Sequence, residues 1–353
     1  MKTRLPTELS ALLHGLFAPA KRLALQWRAA RCLHGGLPRL FLPVRSRGGD
    51  GPKTASIVTI RKRGGRLAAI EADVSWLAGR SGFSTAWRRL GAFVNLLSHP
   101  DVVDGEWRAD LGDSVHEPGP ILGFCSNLRD TLLVPDRGFQ ASGGYARHRR
   151  QALAAPAFGD RDDAIVWRGS PTGFGLLANA TMQPHDADLR QRVRMCLLLA
   201  QADGHLRVDA RIVPGRGLPA DVAAAYYQSG IAGEPLPEGS WLGRQFAIDI
   251  DGNSNAFTNL FIRLLYGCCV IKVASPLGYR QWYYERLEPW RHYVPVAADL
   301  SDLVERIEWC RGHAEKCRAI AHAGQSLALA MTPAEENRRT VALIRNRPWT
   351  SPG

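Results

Sequence analysis

The sequence predicts an α/β fold divided into two domains with a cleft between them. The chain has 353 residues, 45% of them hydrophobic, which is enough to build two cores rather than one. Short apolar runs of strand character alternate along it with amphipathic stretches of helical period. The clearest case is IDIDGNSNAFTNLFIRLLYGCCVIKV, residues 248–273. An apolar stretch there enters a polar turn, then a helical run, then a second apolar stretch.

The elements follow in order. TASIVTIRKRGGRLAAIEA reads as two short strands around an Arg-Gly-Gly turn and starts the first folded unit near residue 52. TAWRRLGAFVNLLSH reads as a helix, and EWRADLGDS as a strand ending in a turn at Gly112-Asp113. GPILGFCSNLRDTLLVPDRGF holds two apolar runs interrupted by Cys-Ser-Asn, and the polar, Ala-rich GYARHRRQALAAPAFGDRDD reads as a hinge between domains. AIVW is a short buried strand running into RGSPTGFG, a glycine-rich turn, and DLRQRVRMCLLLAQ has a helical pattern. FAIDI is a strand. Phe257, Leu260, Phe261, Leu264 and Leu265 then fall on one helix face, Gly267 is placed to end that helix, and CCVIKV suits a strand buried on both sides. Together these form a βαβ unit, and ligands of open α/β sheets bind at the carboxyl ends of the strands.

Charge and cysteine usage narrow the function. The net charge of +12 sits at one end, because residues 1–66 hold 14 Lys or Arg against only Glu8 and Asp50, and the remainder is balanced. An even remainder argues against a basic footprint for nucleic acid. LSALLHGLFAPAKRLALQWRAARCLHGGLPRLFLPVRSRGG mixes Leu, Phe and Trp with Lys and Arg, as in a helix lying on an anionic membrane surface or an ordinary basic surface helix. No apolar run approaches the roughly 20 residues that span a bilayer, and Met1 to Pro6 leads into no continuous signal-peptide core. The expected place is the cytoplasm, with peripheral attachment to the inner face of the membrane through residues 1–50. Cys32, Cys125, Cys196, Cys268, Cys269, Cys310 and Cys317 include no CxxC pair and read as small buried thiols in a reducing compartment. No metal set is expected, since nothing near Cys310 and Cys317 completes a zinc site.

Two turns are candidates for ligand binding. Asp251, Asn253 and Ser254 can cap the following helix, or the free N–H groups of that helix start can hold a phosphate or sugar hydroxyls. The RGSPTG turn offers Arg168 and small residues that let backbone approach an anion, although neither turn is a GxGxxG or GxxxxGK[ST] loop. Asp113, read from the residues alone, is a turn-forming Asp beside Gly112. Of the aromatic string Trp282, Tyr283, Tyr284, Trp290, His292 and Tyr293, most reads as buried packing around Pro289 and Pro295, with stacking on a sugar or uracil as the other use. His292 reads as structural.

VWRGSPTG, IDIDGNSNAF, LLYGCCVIKV and YRQWYYERLEPWRHYVPVAADLSDLVERIEWCRGHAEKCRAIAHAGQ resemble the glycosyltransferases of family 90 over roughly residues 100 to 330. That family groups bacterial lipopolysaccharide glycosyltransferases, fungal capsule-associated enzymes, and eukaryotic protein O-glucosyl and O-xylosyltransferases. The resemblance implies a GT-B architecture, two Rossmann-like domains facing each other across a cleft, and an inverting transfer from a UDP-sugar without a metal or other cofactor. Beyond the basic extension over 1–51, the chain is expected to form an acceptor-side domain over 52–150, a donor-binding domain over 151–332, and a C-terminal helix and tail over 333–353. The resemblance places Arg168, Gly169, Ser170 and Thr172 against the donor nucleotide, and Asp251, Gly252, Asn253, Ser254, Asn255, Ala256 and Phe257 at the donor diphosphate. It makes Asp113 the catalytic base, with Asp110 and Asp130 as competing carboxylates. Thr258 stands where eukaryotic relatives carry an arginine, so an anion contact is missing or comes from Arg168, Arg263 or Lys272.

An inverting transfer needs one carboxylate base and stabilisation of the departing UDP; glycoside hydrolysis needs two carboxylates. The expected reaction moves a hexose or pentose onto a hydroxyl of a lipopolysaccharide or other cell-surface glycan. The alternatives are a protein O-glycosyltransferase, a catalytically dead family member acting as a binding module, and a nucleic-acid binder using the basic N-terminal arm.

Overall fold

The computed structural model describes residues 44–46, 56–73, 83–202 and 204–345. Most of the basic extension, Cys32 and the tail beyond 345 lie outside the described residues. The chain divides into two compact units. The first takes the described residues up to Gly123, Leu128–Arg137 and those from Asn337; the second takes Phe124–Asn127 and Gly138–Glu336.

In the first unit a six-stranded sheet runs in the order β1-β3-β2-β4-β5-β7. Its strands are β1 (Val44–Ser46), β2 (Ile57–Arg63), β3 (Arg66–Ala72), β4 (Gly105–Asp110), β5 (Ile121–Gly123) and β7 (Leu132–Leu133). The expected hairpin is present: β2 and β3 are antiparallel around Gly64-Gly65. β2 also pairs antiparallel with β4, while β4, β5 and β7 run parallel. The sheet is therefore mixed, a departure from the all-parallel pattern that a Rossmann-like domain implies. Helix α1 (Phe83–Leu97) buries Leu90, Phe93, Val94 and Leu97, which lie at helical spacing on one face.

The second unit is built on parallel strands. After β6 (Cys125–Ser126), α2 (Arg137–Ala141) and α3 (Ala146–Leu153), the chain enters β8 (Ile165–Gly169). It continues through α4 (Gln191–Ala200), β9 (Val208–Ile212), α5 (Ala220–Gln228), β10 (Phe246–Asp249), α6 (Thr258–Leu265) and β11 (Cys269–Val273). β12 (Arg280–Gln281), β13 (Val294–Val296), α7 (Leu303–Gly312), α8 (Ala314–Ala330) and α9 (Pro333–Arg345) complete it. β12 pairs antiparallel with β6. β8 is parallel to β9, β10 to β11, and β11 to β13. The residues leading into β8 and β10 join the two sheets, with the Asp162 N–H donating to the Gly243 carbonyl and the Gln245 N–H to the Asp162 carbonyl, each at 2.9 Å.

The resulting spatial order, β9-β8-β10-β11-β13, starts at β8, runs outward to β9, and returns across β8 to β10. That reversal opens a crevice between the carboxyl ends of β8 and β10, the place where doubly wound sheets bind ligands. The expected βαβ unit from FAIDI to CCVIKV is present. Gly267, at φ 71°, ends α6 in the left-handed conformation that glycine adopts without strain. Every residue of β11 is buried, including Lys272, whose ammonium meets the Asp249 carboxylate at 3.0 Å across the strand register. That pairing keeps two charges from standing alone in a dry core.

The stretch 144–163 does not behave as the expected hinge, and the domain limits at 150 and 332 shift with it. Arg149 on α3 donates to the carbonyls of Gly144, Ala328, Leu329 and Met331, and the Tyr266 hydroxyl donates to Gln151 Oε1. These bonds bind α3 into the second unit. The C-terminal helix starts at Pro333 as expected, but the division between units falls within it.

Candidate functional site

The two candidate turns stand side by side at the crevice. Arg192, in the first turn of α4, joins them. Its Nε donates to the Asp251 carbonyl (2.8 Å) and Nη2 to the Ile250 carbonyl (3.0 Å). Its Nη1 donates to the Ser170 carbonyl (3.1 Å) and the Thr172 hydroxyl (2.9 Å). The guanidinium also lies 5.5 Å from the Trp167 ring centroid. A second tie runs from the Gly173 N–H to Asn253 Oδ1 at 3.1 Å. Arg190, one residue before α4, holds the outer part of the same loop through the carbonyls of Pro171 and Gly175.

The structure thus brings Gly169, Ser170, Thr172 and Asp251 to Phe257 together. It gives some of them other partners. Helix α6 starts at Thr258 with no side-chain cap, and the residue before it, Phe257, has φ 46°. Asn255 Oδ1 instead accepts the Phe257 N–H (2.7 Å), and the Phe257 carbonyl accepts from Gln281 Nε2 (2.9 Å). Asp251, Asn253 and Ser254 are therefore not helix caps. The turn is pinned from its flanks, and no side chain closes the end of the helix.

None of the three cations weighed for the missing anion contact is available. Arg168 bonds Asp209 at 2.5 Å and the carbonyls of Trp167, Asp209 and Glu234. Arg263 stacks 3.7 Å from the Trp241 ring centroid and bonds Asn259. Lys272 is held by Asp249 and lies 4.7 Å from the Tyr284 ring centroid. Arg192 was not singled out in the sequence. Its charge meets only neutral oxygens directly, and burial holds its pKa below the usual arginine value while Asp249 and Asp251 act the other way. Arg192 and the start of α6 are therefore the positive groups placed directly at the turns.

Asp251 is 4% exposed, and neither of its oxygens meets a donor at bonding geometry. Burial raises its pKa to about 6, against the opposing influence of Lys272 and Ser275.

In the first unit, β4 ends at Asp110, and Asp113 sits in the turn beyond it. Asp110 is buried and accepts the Gly112 N–H at 2.7 Å, which folds the turn. Burial raises its pKa, opposed by the Gly112 and Ser56 hydrogen bonds. The Asp113 side chain is 57% exposed and bonds Arg89 Nη2 at 2.6 Å, and Arg89 also donates to the Leu111 carbonyl. Arg89 thus anchors the turn that presents Asp113. Asp130 lies exposed in the loop before β7. Of the aromatic string, Trp282, Tyr283 and His292 are buried, and His292 Nδ1 accepts the Glu288 N–H at 2.9 Å, which bears out a structural reading. Trp290 is the exception, at 42% exposed. The six described cysteines are buried and none is in a disulfide. Among the described residues no group of three or more His, Cys, Asp or Glu is placed to hold a metal, and no helix is long and apolar enough to cross a membrane.

The family model for glycosyl transferase family 90 matches residues 107–334, which contain both turns and Asp113. The chain belongs to this family. Uncharacterized protein 027R of Frog virus 3 (isolate Goorha) is 31% identical over 263 residues, 69% of this chain and 24% of that protein. Uncharacterized protein 179R of Invertebrate iridescent virus 6 is 43% identical over 82 residues, 22% of this chain and 7% of that protein. Protein O-glucosyltransferase 2 of Danio rerio is 39% identical over 84 residues, 24% of this chain and 16% of that protein. The chain therefore spans at most about a quarter of the length of these relatives. Among solved structures, Anabaena Alr3699/HepE in complex with UDP and glucose overlaps 57% of this chain and 53% of its own, at 15% identity and a TM-score of 0.35. A glycosyltransferase from Rickettsia africae ESF-5 overlaps 64% of this chain and 63% of its own, at 9% identity and a TM-score of 0.38. Overlaps this loose assign neither ligand nor architecture to this chain.

Two predictions follow from the geometry. A Cβ on Gly252 meets Thr172 Oγ1 at 2.7 Å and Arg192 Nη2 at 3.1 Å, so Gly252→Val displaces the guanidinium that joins the turns. Should the turns hold a nucleoside diphosphate, UDP affinity by calorimetry falls at least about tenfold, the size of one lost charge-assisted hydrogen bond, with the protein still folded. Normal UDP binding by that variant would mean that the turn has no part in holding the donor. Asp251 binds its proton more tightly folded than unfolded, so its contribution to stability is present below pH 4 and is lost as pH rises through about 6. The stability of Asp251→Asn relative to wild type should therefore grow between pH 4 and 7, by up to about 3 kcal/mol. Urea titrations at both pH values check this, and a difference that does not change with pH would contradict it.

Proposed function

We propose that this family member transfers a hexose or pentose from a UDP-sugar to a hydroxyl acceptor, with inversion at the anomeric carbon and no metal. What carries the reading is the pair of turns, Ser170–Gly173 and Asp251–Phe257, tied together by Arg192 at the reversal of strand order. In this reading the chain has a GT-B architecture.

In the proposed reaction Asp113 removes the proton of the acceptor hydroxyl, whose oxygen bonds to the anomeric carbon. The bond from that carbon to the β-phosphate oxygen breaks, and its electron pair leaves with UDP. The turn N–H groups, the uncapped start of α6 and the half-buried Arg192 meet the charge that builds there, and donors fixed in advance stabilise it without reorganising. Exposure suits Asp113 to reach an acceptor, and the Arg89 bond orients it. Asp110 shapes the turn.

The acceptor in this reading is a lipopolysaccharide or other cell-surface glycan, met at the inner face of the membrane by a cytoplasmic protein docked through its basic residues 1–50. Protein O-glycosylation is the second reading, favoured by the 84-residue match to protein O-glucosyltransferase 2. Nucleic acid has no part in either.

Asp113→Asn keeps the shape of the side chain and cannot take the proton. Turnover should fall by about 10²–10⁴-fold while UDP binding by calorimetry stays unchanged. Turnover at the wild-type level would move the base to Asp110 or Asp130. Membrane docking is read by sedimentation with anionic liposomes: a chain lacking residues 1–50 should stay in the supernatant at low salt, where each basic residue adds about 1 kcal/mol. Equal sedimentation with and without those residues would remove the membrane from the account.

A further inference from the structure

Trp290 is a large side chain held half in solvent by a strained backbone. Its φ of 64° is a left-handed value that bulky residues rarely take. Strain of this kind persists where the surroundings over-determine it, and it clusters at ligand sites. Here the Trp290 N–H donates to the Tyr293 carbonyl (2.8 Å), and the N–H groups of Arg291 and His292 donate to the Glu288 carbonyl. The turn is locked just before the amino end of β13. The donor turns lie beyond the carboxyl ends of the parallel strands, so Trp290 stands at the opposite end of the sheet.

Trp290 forms one wall of a surface groove of about 430 Å³. The second wall is Trp309, whose ring meets Trp290 edge-on at 4.8 Å and 68° and is itself backed by His313 at 4.7 Å and 15°. Ala319, Ile320 and Ala323 of α8 make a floor of small aliphatic groups, and Arg291 and Lys316 stand at the rim. No carboxylate lines the groove. Arg291 is already paired with Glu288, but Lys316 has no carboxylate partner among the described residues, and its ammonium lies 5.9 Å from the Trp309 ring centroid.

We propose that this groove is a second binding site, for a pyranose ring of an acidic saccharide. The volume falls within the about 300–1,000 Å³ of small-molecule sites and is too small for a folded partner. Rigid indole faces suit the C–H faces of a pyranose, and amphipathic rings of this kind serve ligands apolar on one side and wet on the other. The free cation at the rim supplies the complement to a carboxylate or phosphate on the ring. That the ligand is a distal part of the acceptor glycan rests on the transferase reading; the binding itself does not.

The test uses the full chain with UDP at saturation and three probes in calorimetry: tetragalacturonate, a phosphorylated pentamannose, and neutral maltotetraose. At least one acidic probe should bind, more tightly than maltotetraose. Trp290→Ala should weaken it by about five- to tenfold, the worth of an aromatic contact. Lys316→Gln should weaken it several-fold and flatten its salt dependence, and neither substitution should change UDP affinity. Because Lys316 is exposed, its variant stays informative should Trp290→Ala fail to fold. No binding of either acidic probe, equal binding of maltotetraose, or acidic-probe binding that survives Lys316→Gln at full strength would overturn the proposal. Loss of UDP binding by the wild-type chain would instead sink the donor reading and leave the groove to be judged by the probes.

Discussion

Arg192 is the contact on which the candidate site depends. A guanidinium with five donors in a fixed fork can bond several acceptors at once, and here it collects the Ser170, Ile250 and Asp251 carbonyls and the Thr172 hydroxyl. With the Gly173 to Asn253 bond, it ties the loops after β8 and β10 into one unit. Half-buried, with no carboxylate in direct contact, it also places a positive charge beneath them. One residue therefore contacts both turns at once and brings a cation to the crevice.

The neighbouring charges sharpen that polarity. Lys272 and Asp249 satisfy each other across adjacent strands, so their charges largely cancel inside the sheet. Asp251 lies just beyond the strand end and has no such partner, so burial pushes its proton affinity up. In the first unit the same logic separates two aspartates. Asp110 is buried and turned to backbone, while Asp113 is exposed and turned to Arg89.

Much of this was legible in the sequence where the signal is local. The period of Phe257 to Leu265, the stop at Gly267 and the apolar run CCVIKV gave the βαβ unit, because helix faces, left-handed glycines and doubly buried strands are written in neighbouring residues. The family motifs pointed to the two turns. What they could not give was set by distant partners. Arg192 reads as one more polar residue of an amphipathic helix, and only the return of the chain from β9 to β10 puts it between the turns. Arg168 looks free until Asp209 arrives from β9. The turn at 251–257 has the composition of a helix cap, yet the left-handed Phe257 shifts the helix start past it. The polar stretch 144–163 has the composition of a hinge, but Arg149 finds its acceptors almost 180 residues away.

The most direct test of the account is the position of UDP in crystals of the chain grown with it. The account predicts the diphosphate over residues 252–257, with its oxygens within hydrogen-bonding distance of backbone N–H groups of that turn or of the start of α6, and with the Arg192 side chain unmoved beneath it. A diphosphate bound elsewhere, or one reached directly by Arg168 after it leaves Asp209, would contradict it.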